Sequence, residues 1–329
     1  MNVMDVLAAH GLAGKSVALP KDLKESIETM WEVNGLDTGS TTVFPEVDDD
    51  NSFYMTYSQK WTKKFSPNDG SVVWTVPLNF VVTSTCIGQD GFYYVFGETK
   101  CLKINRTTGA QTEIVFSFSY PFSIGQGTVD KSGDIYVGGT YNSKEIIAKL
   151  SPTGSMVWRH EIGTAYSISY YGIIFFESHI YSHQGGAVYK LTSNGSLVWV
   201  NSNISLRSVI PDPLDAKCLL SVSSPIGSSF VYVIRVDVSG SSDPVIKNRQ
   251  EIPTSDDSRA GRMPRLRVIK DAVYAAVGSY GFKLRLSDLY LFGLYRDSTA
   301  PLKGVLSDST FYSLPAKGLR RVKFSYKIL

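Results

Sequence analysis

Beyond residue 40 the chain alternates apolar and polar residues in short runs, each closed by Gly, Asp, Asn, Ser or Pro. GFYYVFG (91–97), DIYVGG (134–139) and GIIFFES (172–178) read as strands entered from a turn. CLKIN (101–105), IIAKLS (146–151) and AVYKLT (187–192) follow them with the same two-residue period. That period sets successive side chains on opposite faces of a sheet. Residues 1–40 differ. Met4, Val6 and Leu7, then Leu23, Ile27, Met30 and Trp31, have helical spacing, which predicts helices over Met1–Leu12 and Lys21–Trp31. Pro20 suits the start of the second, and Gly11 and Gly14 suit the end of the first.

The strand pattern repeats. SPNDGSVVW (66–74), SPTGSMVW (151–158) and TSNGSLVW (192–199) share a turn glycine and a tryptophan four residues later. NRTTGAQTEIVF (105–116) and VDVSGSSDPVI (236–246) keep the glycine and lose the tryptophan. Gly70, Gly109, Gly154, Gly195 and Gly240 are spaced by 39, 45, 41 and 45 residues. A period of about forty with four strands is the signature of a propeller blade. The glycine would supply positive φ between the third and fourth strands, and the tryptophan would wedge between blades. Residues 41–329 then hold about seven blades, six being the alternative. The expected domains are a helical arm (1–40) and an all-β propeller (41–329), closed by pairing Thr41–Val47 with strands near Val322–Leu329.

The order Asp-Gly, Tyr-Val, then Lys-Leu or Lys-Ile and the glycine–tryptophan turn resembles the PQQ-like, quinoprotein-type β-propeller repeat, most closely over 57–200. TVDKSGDIYVGGT (128–140) is also similar to the turn–strand unit of NHL-type propellers. The resemblance implies a fold shared by many functions. It also implies that a quinoprotein dehydrogenase would be exported and larger, often with adjacent cysteines beside its cofactor. This chain has no adjacent cysteines, no matched calcium ligands and a start unlike a secretory signal, so no cofactor is expected.

Composition narrows the rest. Apolar residues are 43% and charged residues 19%, a globular balance. The net charge of +3 demands no nucleic acid, but it is unevenly spread. Residues 1–50 carry 3 basic and 10 acidic side chains, and residues 251–329 carry 14 basic and 7 acidic. Cys86, Cys101 and Cys218 form no CxxC pair and cannot all be disulfide-bonded to one another, which points to a reducing compartment. No stretch approaches the ~20 apolar residues of a membrane-spanning helix.

No catalytic constellation stands out. Glu177, His179, Tyr181 and His183 would share one strand face, but two histidines beside a turn read as a half-exposed surface rather than a metal site. Asp48–Asn51 and Asp130–Asp134 lack calcium-loop spacing and read as self-capping turns. SPNDGSVVW departs from the sialidase Asp box at Asn68. The basic run RAGRMPRLRVIK reads as a solvated face or as a dock for the acidic N-terminal arm.

The leading expectation is therefore a non-enzymatic structural or interaction propeller, anchored by its arm in a larger assembly of other subunits or copies of itself. Expected partner-binding residues are Leu7, Leu23, Ile27, Met30, Trp31, Arg262, Arg265 and Arg267. A propeller with an anchoring arm, rich in Tyr, Ser and Thr, resembles virion proteins of tailed bacteriophages, which implies assembly in a host cytoplasm. The alternative is a propeller enzyme or carbohydrate-binding protein with its site at the central channel.

Overall fold

The computed structural model describes residues 23–34, 36, 43–118, 122–164, 172–184, 187–204, 206, 208–223, 230–253, 265–277, 280–296, 302–305, 310–313 and 318–328. They form 28 strands in seven four-stranded antiparallel sheets. Blade 1 is β2 (Val43–Val47), β3 (Phe53–Tyr57), β4 (Trp61–Phe65) and β5 (Val72–Pro77). Blade 2 is β6 (Val82–Ile87), β7 (Phe92–Gly97), β8 (Lys100–Asn105) and β9 (Gln111–Val115). Blade 3 is β10 (Phe122–Val129), β11 (Ile135–Tyr141), β12 (Lys144–Leu150) and β13 (Met156–Thr164). Blade 4 is β14 (Ile173–Phe176), β15 (His179–Gln184), β16 (Ala187–Thr192) and β17 (Leu197–Asn201). Blade 5 is β18 (Ser208–Pro211), β19 (Cys218–Ser223), β20 (Phe230–Asp237) and β21 (Val245–Pro253). Blade 6 is β22 (Arg265–Ile269), β23 (Ala272–Val277), β24 (Tyr280–Arg285) and β25 (Leu291–Arg296). Blade 7 takes β26 (Leu302–Val305), β27 (Phe311–Ser313) and β28 (Gly318–Ile328) from one end of the chain and β1 (Leu23–Asn34) from the other.

The first strand of each blade touches the first strand of both neighbours, so β2, β6, β10, β14, β18, β22 and β26 form a closed ring around the axis. The molecule is a seven-bladed β-propeller. It has no single core. Seven apolar clusters occur among the described residues, one between each pair of neighbouring blades. Strand alternation makes this possible. In blade 2, Tyr93, Val95, Leu102 and Ile104 pack on blade 1, while Tyr94, Phe96, Cys101 and Ile114 pack on blade 3.

The turn glycines behave as expected at four places: Gly70, Gly109, Gly154 and Gly195 have φ of 73°, 74°, 87° and 88°. Gly240 does not adopt positive φ, and in blade 6 Leu289 takes the left-handed position with φ of 60°. The tryptophans pack on the next blade's turn. A Cβ on Gly109 would lie 2.9 Å from Trp74 Cγ, and the Trp74 indole N–H donates to the carbonyl of Arg106 at 3.1 Å. Trp158 donates in the same way to Ser193 at 2.9 Å. Trp74 and Trp199 are buried and Trp158 is half-buried.

Two expectations about the N-terminal region are corrected. Lys21–Trp31 is not a helix: the described part is strand β1, antiparallel to β28 from Leu23↔Ile328 to Asn34↔Gly318. Val43–Val47 does not close the ring against the last strands; it is the inner strand of blade 1 and pairs with β3. The apolar residues of β1 simulate helical spacing because a bulge at Met30 shifts the register, so no two-residue alternation runs through the strand. Met1–Leu12 lies outside the described residues.

Candidate interaction surface

Six of the seven blades are framed by a tyrosine on the second strand directly opposite a cation on the third. The pairs are Tyr54↔Lys64, Tyr94↔Lys103, Tyr136↔Lys149, Tyr181↔Lys190, Tyr274↔Lys283 and Tyr312↔Arg321; blade 5 has Leu220↔Arg235. In the first three blades an aspartate of the first turn completes the group. Tyr94 donates to Asp90 at 2.7 Å, with Lys103 at 2.8 Å from the same carboxylate. Tyr136 donates to Asp130 at 3.1 Å, and Lys149 lies 2.7 Å from Asp134. Tyr54 donates to Asp48, which also receives Arg106 of blade 2. Burial first, and the neighbouring aspartate second, push all three phenols far above the ordinary tyrosine range. Asp130 also caps Ser132 and Asp134, as its self-capping turn requires.

Blade 4 has no such aspartate. There Lys190 donates to the carbonyls of Val238 (2.6 Å) and Gly240 (3.2 Å) in the turn of blade 5. Among the described residues Trp199 Nε1 is buried without a hydrogen-bond acceptor.

Two contacts also join blades that are not neighbours. Arg267 on β22 reaches past blade 7 to Asn51 Oδ1 (3.1 Å) and the Asp48 carbonyl (3.3 Å). Gln89 of blade 2 reaches past blade 3 to the Phe175 carbonyl of blade 4 at 2.8 Å. Burial lowers the Arg267 pKa, opposed by Asp49, Asp48 and Asp50. Arg267, from the basic run, therefore meets acidic residues in the first turn of blade 1.

The expected partner residues scatter over the fold. Leu7 and Arg262 lie outside the described residues. Leu23 and Ile27 lie on β1, and Arg265 on β22 opposite Ala276. Trp31 is turned inward: it packs on Gly70 and donates to the Pro67 carbonyl at 2.9 Å, the bond that Trp74 and Trp158 make one blade on. Met30, the bulged residue beside it, is 47% exposed. Glu177 and Ser178 form the β14–β15 turn with positive φ, and His179 Nδ1 lies 2.7 Å from the Glu177 carbonyl, so Glu177 does not extend a strand face. Among the described residues no group of three or more His, Cys, Asp or Glu is placed to hold a metal. Burial raises the Cys86 and Cys101 thiols, and burial together with the Asp215 hydrogen bond pushes Cys218 up to about 12, far from a reactive thiolate.

The distinctive surface is the rim. In blades 1, 3 and 4, and in blade 7 with β1, a bulge precedes the residue opposite the third-strand cation, and that residue is Trp74, Trp158, Trp199 or Trp31. The bulge sets Val73, Val157 and Met30 into solvent. Val72, Val115, Leu197, Val200, Val245 and Ile246 are also exposed on outer strands.

No family model matches the chain, and no curated protein matches it. Solved structures do. A catalytically inactive virginiamycin B lyase from Staphylococcus aureus, with quinupristin, is 15% identical at a TM-score of 0.63, over 91% of this chain and 99% of that one. A chain of the Mitotic Checkpoint Complex is 10% identical at 0.65, over 93% and 95%. BamB from Moraxella catarrhalis is 14% identical at 0.53, over 94% and 98%. At these identities the likeness establishes the β-propeller fold and nothing finer.

Proposed function

We propose that the chain is a non-enzymatic interaction propeller working within a larger protein assembly, and that this assembly is the particle of a tailed phage. The observation that carries the first part is the rim: six of the seven outer strands hold large apolar side chains in water, whereas the buried tyrosines and cations are spent on framing the blades. Apolar residues around a rim favour contact with protein. A similar fold in the Mitotic Checkpoint Complex is compatible with this reading, and the similar lyase shows that the fold also hosts catalysis. The phage assignment rests on the sequence resemblance alone. The test is sedimentation of the native chain from its source, with cross-linking. A fast-sedimenting particle with cross-links at the rim is expected; a free monomer that turns over a small molecule overturns the proposal.

A further inference from the structure

We infer that two copies of this chain pair along the outer edge of β1, over Leu23–Thr29 with Ser26 on the two-fold axis, so that the two β1 and two β28 strands form one sheet. Strand length selects this place. The outer strands of the other six blades begin one to three residues before the residue opposite the third-strand cation, whereas β1 begins eight before it. Their third strands run one or two residues past that cation, and β28 runs seven past Arg321. Leu23–Ile27 and Phe324–Ile328 therefore extend beyond the level at which every other blade ends, as a two-stranded ribbon roughly 17 Å long.

Such a ribbon is marginal by itself. Among the described residues β1 pairs with β28 alone, and β27 meets β28 only over Arg320–Val322, so the ribbon is open along both edges. Two strands need a third, or a packed face, to be stable in water. By register, Leu23, Glu25 and Ile27 share one face with Phe324, Tyr326 and Ile328. Lys24, Ser26 and Glu28 share the other with Lys323, Ser325 and Lys327. One face is mainly apolar and the other polar, so a partner strand must match both.

β1 meets that condition with its own copy. Its regular stretch ahead of the bulge is Leu23–Thr29. Antiparallel pairing of that whole stretch with itself sets Ser26 opposite Ser26, Leu23 opposite Thr29 and Lys24 opposite Glu28. A slip of one residue joins the apolar face to the polar one. Pairing centred on Lys24, Glu25 or Glu28 puts like charges directly opposite, which is destabilising. Centring on Ile27 runs into the bulge. Within its own chain Lys24 lies opposite Lys327, a like pair that the copy's Glu28 offsets; Glu28 lies opposite Lys323 and is exposed. The ribbon's other edge fails the same test, because pairing Val322–Ile328 with itself sets Lys323 against Lys327. The contact is isologous and closes as a dimer. The inference goes beyond the assembly reading, because it names a second copy as the partner and does not require a particle.

The experiment is sedimentation velocity of the purified full chain over a range of concentrations, with site-directed cross-linking. A monomer–dimer equilibrium with nothing larger is expected. Lys24→Glu and Glu28→Lys should each weaken the dimer by about tenfold, and both changes in one chain should restore it. Ser26→Cys should link to its copy through a short thiol-reactive cross-linker, because the two positions lie about 5 Å apart. Ser325→Cys, three strand spacings or about 14 Å from its copy, should not, and the parent sets the background of its own cysteines. Circular dichroism of every variant should match the parent. A monomer at every concentration overturns the inference, whether β1 is then covered by residues 1–22 of its own chain or left open. A dimer indifferent to both charge changes overturns it too, as does one that links through Ser325→Cys and not Ser26→Cys. If a charge variant misfolds, the cross-linking pair still decides. A monomeric chain that nevertheless sediments with a native particle overturns this contact and leaves the assembly reading standing.

Discussion

A phenol that donates to a buried carboxylate keeps its proton at pH values where a solvated tyrosine ionises. Tyr54, Tyr94 and Tyr136 are in that position, each with its pKa raised in the folded state above the ordinary 10.0. Above pH 10 the unfolded chain releases these protons and the native chain does not, so the stability they contribute is complete below pH 10 and is lost as pH rises. The expected outcome is a steep fall in melting temperature above pH 10. In the triple Tyr→Phe variant that fall should be shallower, while stability at pH 7 drops by about 1.5–3 kcal/mol per lost hydrogen bond to a charged group. Parallel pH-resolved melts of parent and variant measure both, and thiol contributions cancel between them. The turn glycine offers a second measurement. Gly109→Ala places a methyl group 2.9 Å from Trp74 at a φ of 74°, so denaturant titration should register a loss well above that of Ala110→Gly in the same turn.

At the level of elements, β1 decides where the propeller begins. It supplies the outer strand of blade 7 and brings Trp31 onto the blade 1 turn, so a chain starting at residue 41 lacks both. That truncated chain is expected to be insoluble or molten by circular dichroism, because β28 becomes an open edge and the cluster around Phe53, Tyr312 and Leu319 loses a wall. Trp31→Ala should cost about 2 kcal/mol, less than for a fully buried indole, whereas Met30→Ser should be nearly neutral to folding. Most of the architecture was legible: the glycine period located the third-to-fourth-strand turns, and the division into forties gave seven blades. The N-terminal strand was also written in the chain, since Thr29-Met30-Trp31 matches Val72-Val73-Trp74, Met156-Val157-Trp158 and Leu197-Val198-Trp199. The match is masked in sequence because its turn glycine is absent and its partner strand lies at the other end of the chain. The rim was illegible for another reason. An exposed valine next to a tryptophan looks like core until the bulge that turns it outward is seen. Arg267 reads in sequence as a partner-binding residue, but nothing local in sequence foretells a bond to Asn51, 216 residues away.

For the whole molecule, seven apolar interfaces of similar make-up replace one core, and the ring is complete only while every blade is closed. Blade 7 is the one blade held by non-consecutive segments, and its β27 is only 3 residues long. Native-state hydrogen exchange should therefore find the β1–β28 amides opening at lower free energy than those of β7 and β8; equal protection would show that the ring opens only as a unit. The same closure sets a clock during synthesis. Leu23 pairs with Ile328, so β1 leaves the ribosome about 300 residues before its partner exists, which at ~5–20 residues per second is roughly 15–60 s. Throughout that interval a nascent chain carries a lone amphipathic strand with the pairing habits of an outer blade edge, and cells that make this protein must shelter it or make it quickly.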